Sequence, residues 1–248
     1  MDPLTTSAAS GMRARIESLE MLANNLANVA TAGYKSDREF YSLYAAPEAL
    51  ESSLDGPLPS TLPVIERHWT DFNQGTLTPT DSPLDFALSG QGFFAANGPA
   101  GPLYTRNGGF RLSPVGVLTT GEGYPVRSAA GGQIQSQSAA PLEVAPDGTI
   151  RQSGQMLGQL AVVSFDQPAS LEKVGRNYFR AGIAGGGAKP AAGVEIHQGK
   201  LEASNVATPE SAVRLINIMR QFEMLQKAIA LGAEMNRRAV EEVARVNP

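Results

Sequence analysis

The chain has no cysteine, only two histidines and no apolar stretch long enough to span a bilayer. The missing cysteine excludes disulfide bonds, thiol catalysis and thiolate-bound metals. His68 and His197 are far apart, so no histidine pair has metal-ligand spacing. The formal net charge of −4 provides no basic surface and argues against nucleic-acid binding. Asp2 precedes every cation and no apolar core follows it, so we expect no cleaved signal peptide.

Glycine and proline divide the chain into three parts. Except for Gly11, Gly33 and Gly232, the glycines fall between 56 and 199, and most prolines lie in the same range. Because these residues favour turns, the sequence predicts a turn-rich β middle between two terminal helices, which is an α+β fold. The predicted parts are a helix over 1–35, an extended arm over 36–74, a β-rich domain over 75–200 and a long helix over 201–248.

The N-terminal helix carries an apolar stripe with alternating spacings of four and three residues. Thr5, Ala9 and Ala23 share this spacing with four larger side chains, namely Met12, Ile16, Leu19 and Leu26. A repeat of this kind is typical of a coiled-coil seam. Asp2-Pro3 is a suitable start for the helix and Gly33 a suitable stop.

The C-terminal helix has a stronger seam. Its larger members are Leu215, Ile218, Phe222, Leu225 and Ile229, and the spacing continues to Val246 except at Asn236. Thr208-Pro209-Glu210 provides a cap, a proline at the first turn and an acid where the helix dipole favours one. The sequence therefore predicts a helix over about 209–245, long enough to pair with the first helix as a coiled-coil-like hairpin.

The middle of the chain consists of short β runs separated by turn residues. The turns include Asn107-Gly108 and Pro146-Asp147-Gly148, which are strong turn signals. Runs at this spacing indicate a mostly antiparallel β unit. The segment 36–74 instead has aromatics followed by prolines, which is typical of an extended arm.

Two motifs raise the alternative of an enzyme. Gly90-x-Gly92-x-x-Ala95 matches a dinucleotide fingerprint on paper, but the prolines and glycines that follow forbid the helix such a site needs. Glu66, His68 and Asp71 are close in sequence, yet no nucleophile accompanies them. We predict a β-turn at the first motif and a solvated His68 beside carboxylates at the second. A third alternative, a trimeric surface adhesin, lacks a visible signal and membrane anchor.

Several blocks resemble the axial proteins of the bacterial flagellar rod and hook. The block LANNLANVATAGYKS is similar to the N-terminal signature of that family, and QGKLEASNVATPESAVRLINIMRQFEMLQKAI to its C-terminal signature. Between them, DFNQGTLTPTDSPLDFALSGQGFF and YTRNGGFRLSPVGVLTTGEGYPV resemble two further family blocks, in the same order. The length and the short arm are most similar to a proximal rod protein, with a distal rod or hook-type subunit as the alternative.

The resemblance implies a structural role without cofactors, catalysis or small-molecule substrates. The terminal helices would line a tube around a central export channel, and subunits would stack helically into a drive shaft that transmits torque. The implied partners are further copies, other rod proteins and the flagellar export apparatus, without membrane insertion. The implied location is the periplasm-spanning rod of the basal body.

The sequence also suggests where subunits meet. The tetrapeptide Asn-Val-Ala-Thr occurs at 28–31 and 205–208, beside the inner ends of the two helices. Asparagine side chains there are expected to hydrogen-bond exposed backbone groups, within the subunit or across subunits. The predicted assembly residues are the two helix seams together with Asn24, Asn25, Asn28, Gly33, Tyr34 and Asn205. Because the seams need neighbours, we expect protease-labile ends around a resistant middle of about 75–200.

Overall fold

The computed structural model of the protein describes residues 3–45, 61–175, 177–182 and 186–246. Within these residues it contains helix α1 (Pro3–Ala27), helix α2 (Thr208–Val246), a 3₁₀ turn at Pro168–Ser170 and seventeen β-strands. The strands are β1 Asp37–Ala45, β2 Thr61–Thr70, β3 Leu77–Pro79, β4 Phe86–Ser89, β5 Phe93–Gly98, β6 Gly101–Thr105, β7 Arg111–Leu112, β8 Leu118–Thr119, β9 Leu142–Val144, β10 Thr149–Gln152, β11 Gln155–Gln159, β12 Val162–Ser164, β13 Leu171–Val174, β14 Tyr178–Ala181, β15 Lys189–Pro190, β16 Glu195–Gln198 and β17 Lys200–Glu202.

The described residues form two compact units. One, the helical unit, takes its residues from 1–26, 37–69 and 207–248; the other, the β unit, takes them from 27–36 and 70–206. Neither helix has the length and hydropathy needed to cross a membrane. The α+β class predicted from the sequence is confirmed.

The β unit is built from antiparallel pairings. Its largest sheet has the strand order β13-β14-β6-β5-β12-β15, and a second sheet has the order β11-β10-β9. Three further pairs join β16 with β4, β17 with β3, and β7 with β8. The turn predicted at 146–148 is confirmed, since Gly148 has a φ of +85° and its N–H donates to the Ala145 carbonyl at 2.8 Å.

Strand β5 separates two hydrophobic clusters. Phe94 belongs to one cluster, with Phe86, Phe110 and Leu118, while its neighbour Phe93 belongs to the other, with Phe179. Successive side chains of a strand point to opposite faces, so the pair Phe93-Phe94 fills both. Edge-on ring contacts tie each cluster together; the Phe94 and Phe110 centroids, for example, are 5.1 Å apart. The phenylalanines of the β unit are thus concentrated in or against its two clusters.

The Gly90-x-Gly92 motif lies in the turn between β4 and β5. Gly90 has a φ of +109°, and a strand rather than a helix follows the motif. No helix N-terminus is present there to hold a pyrophosphate, which removes the structural basis for the nucleotide-binding alternative. Of the second motif, His68 is exposed, while Asp71 is buried and its Oδ1 accepts the Asn73 N–H at 3.0 Å.

Helix α1 ends earlier than predicted. The predicted stop is Gly33, but the helix ends at Ala27 and a turn follows, in which the Thr31 N–H donates to the Asn28 carbonyl at 3.1 Å. Gly33 does adopt the left-handed conformation expected of it, with a φ of +67°. That conformation turns the chain into the β unit instead of terminating the helix. Helix α2 begins at Thr208, one residue before the predicted start.

The helical unit also contains strands β1 and β2, which pair as a two-stranded sheet. They lie within the predicted arm over 36–74, whose last residues, 71–74, belong to the β unit; residues 46–60 lie outside the described residues. The guanidinium of Arg38 lies 5.8 Å from the centre of the Trp69 ring. Glu39 forms an ion pair with Arg214, which connects β1 to the first turns of α2.

Tyr178 is expected to make the β unit less stable above pH 10. Burial, followed by a hydrogen bond to the Glu122 carboxylate, raises the pKa of Tyr178 well above its ordinary value. The unfolded chain releases this proton near pH 10 while the folded chain retains it. The stabilisation is therefore complete below pH 10 and falls above it by about 1.4 kcal/mol per pH unit.

Urea unfolding between pH 9 and pH 11.5 measures this slope. The Tyr178→Phe variant should reduce the slope by about 1.4 kcal/mol per pH unit, while Tyr104, whose pKa burial also raises, keeps its own contribution. Tyr124→Phe, which removes a hydroxyl from a ring with its centroid 5.6 Å from that of Tyr178, is the control. Equal slopes in Tyr178→Phe and the unmodified protein would contradict the assignment.

Candidate functional site

Three charged side chains form a buried cluster inside the β unit. Lys35 Nζ lies 2.6 Å from Glu202 Oε1, and Arg106 Nη1 lies 3.2 Å from Glu202 Oε2. The Lys35 and Glu202 side chains are 0% exposed and that of Arg106 is 3% exposed. The carboxylate is therefore shared between two cations that have no access to water.

Backbone groups complete the surroundings of this cluster. Lys35 Nζ also donates to the Asn73 carbonyl at 2.7 Å, and the Gly75 N–H donates to Glu202 Oε1 at 2.9 Å. Arg106 Nη2 donates to the Gly90 carbonyl at 2.5 Å. Burial lowers the pKa of Lys35 and that of Arg106, and the attraction of the Glu202 carboxylate offsets the effect only in part.

Asn205 bridges two segments beside the charged cluster. Its Oδ1 accepts the Ser36 N–H at 2.8 Å, and its Nδ2 donates to the carbonyls of Asp71 at 2.7 Å and Asn73 at 3.1 Å. One amide thereby connects the segment that follows α1 with the segment that enters the β unit at Thr70. The backbone hydrogen bonding predicted for Asn205 is confirmed.

Gly33 approaches the backbone of another turn so closely that no side chain fits. Its N–H donates to the Glu202 carbonyl at 2.7 Å. A Cβ at this position would lie 2.3 Å from the Asn107 nitrogen and 2.4 Å from the Arg106 carbonyl carbon. We call the segments 33–36, 71–75 and 202–205, together with Arg106, the terminal junction.

Other predicted residues also act within the subunit. Tyr34 is buried, and the Lys173 ammonium lies 4.2 Å from the centre of its ring. Asn28 is buried and its Oδ1 accepts the Thr31 hydroxyl at 3.4 Å. In the helical unit, Asn25 Oδ1 accepts the Asp37 N–H at 2.9 Å and its Nδ2 donates to the Asp37 carbonyl at 2.8 Å. Asn24 lies on an exposed part of α1. Any contact of these residues with neighbouring subunits stays a prediction.

Helix α1 has two different faces. The buried face consists of small and polar side chains with one leucine, and its members are Gly11, Ala14, Ser18, Leu22 and Asn25. The predicted seam lies about 120° away around the helix. Ile16 and Leu19 on that seam are 43% and 37% exposed, Leu26 is also exposed, and Met12 is half-buried. The larger apolar side chains of α1 thus lie mainly on its uncovered side.

Helix α2 is apolar on two sides. Its predicted seam is partly covered within the helical unit: Ile218 is buried, and Leu215, Phe222, Leu225 and Ile229 are half-buried. The Leu225 methyl carbons lie 3.6 Å from where a Cβ on Gly11 would stand, so the two helices touch there. A second apolar stripe runs about 150° away and is exposed. Its members are Val213, Ile216, Met224, Leu231 and Met235.

Sequence reasoning missed the charged cluster and the second stripe of α2. Lys35 and Glu202 lie within the two terminal blocks that resemble the family, and Arg106 precedes a predicted turn. A single charged residue in a sequence does not indicate that its side chain is buried. Isolated charges among small and apolar residues were the available signal. The β unit is held together by its own buried ion pairs and hydrogen bonds, and the helices leave apolar faces exposed. This combination is typical of a structural subunit.

Comparisons with known proteins agree with that class. Family profiles match residues 6–35 ("Flagella basal body rod protein"), residues 87–152 ("Flagellar hook protein FlgE/F/G D1 domain") and residues 197–242 ("Flagellar basal body rod FlgEFG protein C-terminal"). The flagellar basal-body rod protein FlgF of Caulobacter vibrioides is 34% identical over 92% of this chain and 93% of its own length. The rod protein FlgG of Buchnera aphidicola is 33% identical over 95% of this chain and 97% of its own length.

The chain therefore belongs to the flagellar basal-body rod protein family, and within it to the proximal rod type. It is a structural subunit of the rod, and the distal-rod, hook-type and nucleotide-binding alternatives are not favoured. Its family is one of structural proteins rather than enzymes. Membership implies a location in the flagellar basal body and assembly with further copies and other rod proteins.

Proposed function

We propose that this subunit builds the rod through the uncovered apolar faces of α1 and α2. The observation that carries the proposal is that each helix has an apolar stripe that the helical unit leaves exposed. Continuous apolar stripes that are exposed to water are unfavourable and mark surfaces that bind partners. Ile16 and Leu19 on α1, and Met224 and Leu231 on α2, are the central residues of these faces.

In this proposal α1 and α2 pair as a coiled-coil-like hairpin along the α2 seam. The close approach of Leu225 to Gly11 supports such pairing, because a small residue lets the partner leucine fit against the α1 backbone. The exposed stripes then pack on neighbouring hairpins in a head-to-tail arrangement that continues as a helical tube. The hairpins line a central channel, and the rod transmits torque because its subunits interlock along the whole tube.

Export completes the proposal. The subunit crosses the inner membrane through the flagellar export apparatus and assembles in the periplasm-spanning rod. The proposed partners are accordingly this chain, other rod proteins and the export apparatus. The absence of cysteine agrees with a chain that is threaded unfolded, because no disulfide needs to be opened.

Charged substitutions on the exposed face of α2 test this function. In a strain that lacks its own copy, the Met224→Glu/Leu231→Glu variant should leave cells non-motile and without complete rods in electron micrographs. The physical reason is that a carboxylate buried between subunits without a partner opposes association strongly. Both side chains are more than 60% exposed, so the melting temperature of the isolated subunit should change little.

The matched control is Gln226→Glu, which adds a negative charge at an exposed position on another side of α2. Cells with this variant should swim normally. Normal swimming of the Met224→Glu/Leu231→Glu strain would exclude the exposed face of α2 from the assembly interface.

A further inference from the structure

The charged cluster of the terminal junction joins segments that are very distant in sequence. Lys35 and Glu202 are separated by 167 positions, and Arg106 lies between them on a different turn. Lys35 belongs to the segment that follows α1, whereas Glu202 ends strand β17, in the segment that leads to α2. We call the segments 33–36 and 202–205 the helix roots. The cluster forms only when both helix roots are folded into the β unit.

Glu202 is the centre of these contacts. Its side chain accepts from Lys35, Arg106 and the Gly75 N–H, and its backbone carbonyl accepts from the Gly33 N–H. Removing one member of a buried ion cluster leaves charge without a partner, which costs far more than an exposed ion pair contributes. Without the Glu202 carboxylate, Lys35 and Arg106 would be two buried cations facing each other.

The charge of Asp71 does not balance the site by itself. Asp71 is buried and its charge favours the protonated form of Lys35, and its Oδ1 accepts the Asn73 N–H. With Asp71 included, the cluster has two cations and two anions. Loss of Glu202 leaves it with one excess positive charge in a site closed to water.

We propose that Glu202 is a positioning residue that makes completion of the β-unit fold conditional on both helix roots. The segment 33–36 brings a cation and the segment 202–205 brings an anion, so the charges of this site balance only when both segments are in place. A partly folded chain that has placed only one of these segments has unbalanced charge at the site, and this imbalance opposes closure of the site. This inference concerns the isolated subunit and does not depend on how the helices assemble.

The full-length Glu202→Gln variant tests the proposal, because it keeps the side-chain shape and removes the charge. The ratio of folded to unfolded β unit should fall by about 100-fold to 1000-fold. Hydrogen exchange followed by mass spectrometry should show that 33–36, 73–75 and 202–205 lose protection together, although they are far apart in sequence. Loss of protection confined to 202–205 would overturn the proposal.

A second variant separates charge balance from a merely structural role. Lys35→Met/Glu202→Gln removes one cation with the carboxylate and restores the balance. It should recover at least about 10-fold of the lost folding ratio relative to Glu202→Gln, and it is expected to fold even where the single variant does not. If the double variant is as unstable as Glu202→Gln, or less stable, the conditional role is wrong.

Glu195→Gln is the matched control, because Glu195 is an exposed carboxylate on strand β16 of the same unit. It should unfold and exchange as the unmodified protein does. If Glu202→Gln behaves as Glu195→Gln does, the buried cluster has no positioning role.

Discussion

The Gly33→Ala variant is expected to lose about 2–5 kcal/mol of the free energy of unfolding of the β unit. Two effects add. Gly33 has a φ of +67°, a conformation that costs an L-residue about 1–2 kcal/mol. The new Cβ would also lie 2.3 Å from the Asn107 nitrogen and 2.4 Å from the Arg106 carbonyl carbon, which is closer than non-bonded atoms can approach each other.

The clash cannot be relieved locally. Both atoms are backbone, and Arg106 is held by its bonds to Glu202 and to the Gly90 carbonyl. The turn at 106–107 must therefore move away, which pulls on the buried ion pair and on the Gly33 N–H bond to the Glu202 carbonyl. Urea unfolding followed by the fluorescence or circular dichroism of the full-length protein measures the loss.

Gly175→Ala separates the two effects. Gly175 has a φ of +70°, but a Cβ there would meet no atom within 4 Å. The control variant should therefore lose only the conformational part, about 1 kcal/mol. Losses of equal size at positions 33 and 175 would mean that the close approach at the terminal junction contributes nothing.

The Asn205→Asp variant is expected to lose about 2–4 kcal/mol at neutral pH. Aspartate keeps the oxygen that accepts the Ser36 N–H, but it replaces the Nδ2 donor by a second oxygen. That oxygen would face the carbonyls of Asp71 and Asn73, which both lose the Nδ2 donor and repel the new charge, although the Asn73 carbonyl keeps its bond from Lys35. The two lost hydrogen bonds and the repulsion act in the same direction.

The effect of Asn205→Asp should depend on pH with a defined sign. The unfavourable surroundings raise the pKa of the new carboxyl in the folded state, so stability is regained as the pH falls toward the protonated form. Unfolding measured at pH 7 and pH 5 checks this direction. Asn217→Asp, at an exposed position of α2, is the control and should show neither the loss nor the pH dependence.

The two copies of Asn-Val-Ala-Thr illustrate how far identical sequence determines structure. At 28–31 the tetrapeptide forms a turn after α1, and Asn28 accepts bonds from Thr31. At 205–208 the asparagine reaches Ser36, Asp71 and Asn73, and the threonine begins α2. The sequence correctly indicated that both copies stand near helix ends, but only the neighbouring segments decide what each side chain contacts.

The two helices show the same division. Period and capping residues predicted α2 to within a residue at each end, because a long apolar repeat and a proline in the first turn act locally. The stop of α1 was misplaced at Gly33, because left-handed glycines also occur in turns outside helices, as this one does. The apolar repeat of α1 does not predict which face of the helix is buried, because the buried face is the one with the small residues Gly11, Ala14 and Ser18.

The sequence by itself determined the α+β class, the turn-rich antiparallel middle, the two terminal helices and the rod family. These features follow from local periodicity, turn residues and ordered motifs. Only the tertiary structure decided that Lys35, Arg106 and Glu202 share one buried site and that Gly33 has no room for a side chain. The physical reason is that burial and ion pairing depend on segments up to 167 positions apart, whose proximity no local pattern records.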